Sequence, residues 1–127
     1  MKIAITVAHW LVRLTGLIQI VLGVLFWTGN ALTLIPVHML SGFVLVLSVW
    51  TLAVLAALAG VSRGFVVLVI VWGVIVLVLG LTQTQLLPGD FHWVIQVLHL
   101  LVGLGAIGQA EGLATRIKNL RTPALQT

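Results

Sequence analysis

The chain has 127 residues, of which 61% are apolar and only 6% are charged, and its formal net charge is +4. A water-soluble domain carries about a quarter charged residues, so this composition excludes a soluble globular fold and indicates an integral membrane protein. The basic excess is then an orientation signal and not a nucleic-acid surface. Because cysteine is absent, disulfides, thiolate-bound iron–sulfur clusters and thioether-attached haem are also excluded.

The first predicted span covers about residues 3–27 and carries an unusual polar trio, His9, Arg13 and Gln19. Its apolar run is longer than the signal-peptide core of about 7–15 residues, and no small-x-small cleavage site follows it. We therefore expect this segment to remain as the first transmembrane helix. The following residues, 28–35, are predicted to form a short turn.

The second and third predicted spans cover about residues 36–59 and 65–86. The second begins with a proline, which suits the first turn of a helix. His38 lies near its start, and Gly42 follows one helical turn later. The third span is the most uniformly apolar, with Gly80 near its end. Each predicted span has about the 20 residues needed to cross a hydrocarbon core of about 30 Å.

The fourth predicted span covers about residues 91–112 and follows a turn in which Asp90 is the expected helix N-cap. Its polar and small residues recur at steps of four, three and four, so they share one helix face: His92, Gln96, His99 and Gly103. Such a stripe within hydrocarbon faces protein, water or a cofactor, and not lipid. Residues 113–127 are predicted to be a basic tail.

Four spans with short connections predict a single-domain, all-α, up-down-up-down four-helix bundle in a lipid bilayer. The basic residues outside the spans all fall on one side of the predicted membrane: Lys2, Arg63, Arg116, Lys118 and Arg121. By the positive-inside rule, both termini are predicted to be cytoplasmic, in a cell (inner) membrane.

Three of the four histidines are predicted to gather near the outer side, on the second and fourth helices. Facing imidazoles from two helices are what a b-type haem requires, with the iron between two neutral nitrogens in a dry slot. We expect His38 and His99 to be the iron ligands. On the fourth helix, depth in the membrane favours His92, whereas burial favours His99. His92 therefore stays as an alternative ligand. The slot would be widened by glycines near these histidines, beside Gln96: Gly23, Gly42, Gly80 and Gly103.

The inner half carries a second candidate group, His9, Arg13 and Glu111. We expect Arg13 and Glu111 to form a buried ion pair that holds the first helix against the fourth. The functional alternatives are a proton or quinone site, or a second haem bound by His9. A second bis-histidine haem would need another histidine in this half, and the sequence has none there.

These features resemble the bacterial four-helix membrane cytochrome b family, the two-haem, quinol-linked cytochromes. The shared residues are His9-Trp10 early in the first span and His38 followed by Gly42, with two histidines in the fourth span and none in the third. The resemblance implies haem b and electron transfer between a membrane quinol and an acceptor on the outer side. In that family the two fourth-helix histidines are farther apart than the seven residues that separate His92 from His99 here, which leaves His9 without its expected partner.

The competing class is a non-redox membrane protein. One form is a small-solute transporter or a metal-binding protein whose outer cavity is lined by His38, His92, His99 and Gln96. Another is an accessory subunit whose glycine faces pack in a homo-oligomer or against a larger membrane complex. The sequence assigns no catalytic residue, so it leaves open whether the protein is an enzyme.

Overall fold

A computed structural model describes residues 1–122, which form four long helices and two short 3₁₀ turns. The helices are α1 (Lys2–Trp27), α2 (Ile35–Leu58), α3 (Arg63–Thr82) and α4 (His92–Arg121). The 3₁₀ turns, Leu32–Leu34 and Gln83–Gln85, extend α2 and α3 on the side opposite the termini. All four helices are long and apolar enough to cross a membrane, which confirms the predicted all-α class.

The fourth helix is longer than its sequence pattern predicted. It continues to Arg121, nine residues beyond the predicted end of the fourth span. The extension is helical because its inner face completes the core: Leu113 is 0% and Ile117 is 1% exposed. The last part of the predicted tail, residues 123–127, lies outside the described residues.

The two helices that begin on the side opposite the termini start differently from each other. Pro36 lies in the first turn of α2, as predicted. Asp90 is not the N-cap of α4: the cap residue is Phe91, and it makes no side-chain cap hydrogen bond. The predicted turn over residues 28–35 contains the 3₁₀ turn that precedes α2.

Contacts between neighbouring helices establish the up-down arrangement. In α1 and α4, Arg13 bonds to Glu111, and a Cβ at Gly16 would meet the side chain of Ile107. Because the residue number falls in one helix as it rises in the other, the two helices are antiparallel. The diagonal helices α2 and α4 each contact all three of the others.

The bundle core is divided into two buried clusters of apolar side chains. The larger cluster is on the terminal side and takes residues from every helix, among them Val12, Leu52, Val69 and Leu113, each at most 1% exposed. Lipid tails are as apolar as these side chains, so close packing holds the helices together here, and not exclusion from water. The smaller cluster, which includes Val46 and Val102, lies toward the histidines.

Two tryptophans join successive helices through a repeated contact with the backbone. Trp50 donates its indole N–H to the carbonyl of Ile70 at 3.2 Å, and Trp72 donates to the carbonyl of Val102 at 2.8 Å. Each ring covers a glycine three residues beyond that carbonyl: Gly73 and Gly105. The missing Cβ allows the indole to lie directly on the neighbouring backbone.

Gly105→Ala is expected to lower the free energy of unfolding by about 1–3 kcal/mol, since the indole must move and lose its hydrogen bond. A Cβ at Gly105 would lie 2.9 Å from Cζ2 of Trp72. Gly108→Ala is the matched control on the same helix, because its Cβ would meet nothing within 4 Å and alanine favours a helix by up to about 1 kcal/mol. Unfolding of the purified protein in mixed detergent micelles measures both; equal stability of the two variants would contradict the tight contact.

Candidate functional site

The structure brings together two imidazole rings, one from α2 and one from α4. The ring centroids of His38 and His99 are 6.4 Å apart, and the ring planes are tilted by 59°. The edge of Phe26 packs against the His38 ring at 5.3 Å between centroids. The side chains lie between helices in the half of the bundle opposite the termini.

The two histidines meet because they lie at nearly the same depth. His38 is six residues beyond Leu32, where the 3₁₀ turn before α2 begins, and His99 is seven residues beyond His92, where α4 begins. A second span that begins at residue 36 lacks this extra turn, and without it His38 would match His92 more closely in depth. This turn moves His38 deeper and removes the apparent mismatch with His99.

Glycines from the other two helices flank this histidine pair. A Cβ at Gly23 in α1 would lie 3.9 Å from Cε1 of His38, and one at Gly80 in α3 would lie 3.2 Å from Cε1 of His99. The second distance is closer than ordinary van der Waals contact. Larger side chains at these two positions would therefore occupy the space beside the rings.

Each ring of the pair also has an unsatisfied polar atom. Nδ1 of His38 and Nδ1 of His99 are buried and have no hydrogen-bond partner among residues 1–122. A buried polar atom without a partner costs about 1–3 kcal/mol. The apolar bundle therefore contains two buried ring nitrogens that no residue among 1–122 hydrogen-bonds.

His92 does not join this pair. Its Nδ1 lies 3.1 Å from the carbonyl oxygen of Leu86, so the ring is held against the connection between α3 and α4. The structure therefore places His92, the alternative ligand of the sequence argument, in a contact that orders this connection. Gln96, on the same predicted face, is partly buried.

Gly42 makes room for a side chain of α1. A Cβ at Gly42 would lie 3.4 Å from Oε1 of Gln19. Nε2 of Gln19 donates to the carbonyl of His38 at 2.5 Å and to Oγ of Ser41 at 2.6 Å. Gln19 therefore ties α1 to the backbone of His38, a role that the sequence did not reveal. Gly103 follows His99 in α4 as Gly42 follows His38 in α2. A Cβ at Gly103 would meet nothing within 4 Å.

On the terminal side of the bundle, Arg13 and Glu111 form the predicted ion pair in bidentate geometry. Nε of Arg13 lies 2.7 Å from Oε1 of Glu111, and Nη2 lies 2.9 Å from Oε2. Nε2 of His9 is 2.9 Å from the same Oε2, within ion-pair distance but outside hydrogen-bond geometry. The pair is not buried as expected, since the side chains of Arg13 and Glu111 are 48% and 39% exposed.

The two halves of the chain share a pattern that singles out the histidine pair. Residues 16–23 (GLIQIVLG) and 73–80 (GVIVLVLG) agree at five of eight positions, and residues 38–42 (HMLSG) and 99–103 (HLLVG) agree at three of five. In each half, a Cβ on the last glycine of the first motif would lie within 4 Å of Cε1 of the histidine that opens the second. Parallel repeats in membrane proteins place sites at the repeat interface. This signal was available in the sequence, and it selects His99 and not His92.

No protein-family model, curated protein or solved structure matches this chain. The class that the fold defines is a multi-pass helical membrane protein with four candidate spans. Among residues 1–122, no group of three or more histidines and carboxylates is arranged to hold a metal ion. The site itself is made of two imidazoles, one from α2 and one from α4.

Proposed function

We propose that this protein is a cytochrome b-like membrane protein that binds haem b between His38 and His99. The observation that carries the proposal is the spacing of the two rings. With metal–imidazole bonds of about 2.0–2.1 Å and about 1.1 Å from nitrogen to ring centroid, two ligands of one metal have centroids about 6.3 Å apart. The observed separation is 6.4 Å.

The surroundings of the pair fit such a group. The buried Nδ1 atoms of both imidazoles have no hydrogen-bond partner among residues 1–122, and the rings lie beside Gly23 and Gly80, where a larger residue would crowd them. Haem b bound there would supply one-electron chemistry. His38 and His99 would hold it through their imidazole nitrogens. The smaller apolar cluster, which includes Val46 and Val102, lies in the same half of the bundle and would surround the group with apolar side chains.

Gln19 supports the site as a positioning residue. Its amide holds the backbone carbonyl of His38, and its bond to Ser41 fixes the same turn of α2. These bonds set the height of His38 relative to α1 and thereby relative to Gly23. The backbone of His38 is thereby fixed along the bundle axis, with its imidazole beside Gly23.

The proposal includes a single haem. A second haem at His9 is left out because its Nε2 lies 2.9 Å from Oε2 of Glu111 and because this half of the bundle has no second imidazole. The electron donor in the proposal is a membrane quinol and the acceptor lies on the outer side, with both termini cytoplasmic. The basic residues that flank the helix ends on the terminal side support this orientation.

The visible spectrum of the purified protein tests the proposal. The full chain, produced in a haem-sufficient host and purified in mild detergent, is expected to be red, with a sharp Soret band that shifts on reduction by dithionite. A colourless preparation would refute haem binding. If that preparation bound a divalent metal in equilibrium dialysis, the His-lined metal-binding or transport alternative would replace it.

A further inference from the structure

The cluster of His9, Arg13 and Glu111 lies on the side of the bundle, where α1 meets α4. About half of the Arg13 side chain is exposed there, and Glu111 is 39% exposed. Charged groups inside hydrocarbon are costly and usually face the interior of a bundle. An ion pair on the outer surface of a transmembrane helix pair therefore calls for a polar neighbour outside the protein chain.

The length of the helices indicates what surrounds this cluster. A hydrocarbon core of about 30 Å takes about 20 helical residues. Trp27 and Trp93 lie at the ends of α1 and α4 opposite the termini, where an aromatic belt is expected. Counted from them, the hydrocarbon ends near Val7 in α1 and near Leu113 in α4. By this count Glu111 lies two residues and Arg13 six residues inside the hydrocarbon, and the Arg13 side chain reaches the carboxylate of Glu111, so the ion pair lies within a few Å of the headgroups on the terminal side.

The guanidinium of Arg13 has unused donors at this level. It carries five N–H groups and uses Nε and Nη2 to bind Glu111. Its carbon Cζ lies 5.5 Å from the centre of the Trp10 ring, one turn nearer to the terminal side. The remaining N–H groups form an edge that suits bidentate contact with a phosphate.

A shallow, open apolar groove lies on one face of α1 beside this guanidinium and extends toward the bilayer centre, and all of its lining residues belong to α1. Arg13 and Trp10 line it together with apolar residues that include Leu14 and Leu17. Leu14 is 57% and Leu17 is 61% exposed. Polar donors at the headgroup level followed by an apolar groove match the shape of one lipid molecule.

Two lysines on the same helix faces add positive charge toward the headgroups. Lys2 precedes Arg13 by eleven residues, or three turns, and Lys118 follows Glu111 by seven residues, or two turns. Both spacings place the lysine on the face of its partner in the cluster. Basic residues near a membrane surface attract anionic headgroups.

We propose that this surface binds one anionic phospholipid from the leaflet on the side of the termini. Its phosphate lies on the free edge of the Arg13 guanidinium, its headgroup lies between Lys2 and Lys118, and one acyl chain lies along Leu14 and Leu17. The lipid completes the polar surroundings of an ion pair that the bundle leaves half exposed. This inference does not depend on haem binding.

Native mass spectrometry of the full-length, delipidated protein tests the inference, with phosphatidylglycerol and phosphatidylcholine as the two probes. The first phosphatidylglycerol is expected to bind at least about fivefold more tightly than the first phosphatidylcholine. The double variant Lys2→Gln/Lys118→Gln is expected to remove most of this preference. Equal affinity for the two lipids in the unaltered protein would overturn the proposal.

A matched pair of variants locates the lipid. Leu14→Trp, which fills the groove, is expected to weaken the first phosphatidylglycerol at least fivefold, whereas Val74→Trp, at a 46% exposed position of α3, leaves it unchanged. Equal effects of the two variants would overturn the assignment to α1. A dimer that excludes the lipid and that Leu14→Trp dissociates would also overturn it, in favour of a second copy of the chain.

Discussion

His99→Ala and His38→Ala are each expected to abolish the low-spin haem spectrum of the purified protein. The two imidazoles face each other at 6.4 Å between ring centroids, and each supplies one of the two axial nitrogens in the proposal. Loss of either leaves one protein ligand, which does not produce a low-spin bis-imidazole spectrum. The haem-to-protein ratio and the reduced-minus-oxidised visible spectrum measure the effect.

His92→Ala is the matched control on the same helix, because its ring contacts the Leu86 carbonyl and lies away from the pair. It is expected to keep the low-spin spectrum. Far-UV circular dichroism and the elution profile establish that each variant is folded. Added free imidazole is expected to restore low-spin absorption to His99→Ala. An unchanged spectrum in both ligand variants, or loss of the spectrum only in His92→Ala, would contradict the assignment.

Glu111→Ala is expected to lower the free energy of unfolding, since it leaves the Arg13 guanidinium without the carboxylate that it binds through two hydrogen bonds. Both side chains are partly exposed, so the effect is expected to be smaller than that of breaking a fully buried ion pair. The exchange Arg13→Glu/Glu111→Arg is expected to be better tolerated than either single alanine change. Reversible unfolding in mixed detergent micelles measures the free energy of unfolding of the unaltered protein, the two single alanine variants and the exchange variant.

Arg116→Ala provides the control for this series. Arg116 stacks on the Phe65 ring at 3.9 Å and lies beyond the estimated end of the hydrocarbon, so its loss is expected to cost less than about 1 kcal/mol. If the charge exchange destabilised the protein as much as Glu111→Ala does, the pairing of Arg13 with Glu111 would not be the source of the stability.

The amino-acid sequence by itself determined the class of this protein and several of its local features. In a bilayer, an apolar chain with few charges can form all of its backbone hydrogen bonds only as helices or as a closed barrel. Four apolar runs, each long enough for a transmembrane helix, indicated helices. Pro36 indicated the start of α2. Arg13 and Glu111 were recognisable as partners because two isolated opposite charges in apolar helices are each costly alone.

Tertiary structure decided how deeply these groups lie and which of them make contact. The repeated motifs single out His99, but its match in depth to His38 depended on one extra 3₁₀ turn before α2, and a shift of one turn moves a side chain by about 5 Å along the helix. The contact of Gln19 with the backbone of His38 likewise depends on the registry of α1 against α2. Periodicity within a helix reports which residues share a face, but registry and exposure arise from packing between helices, which no single segment encodes.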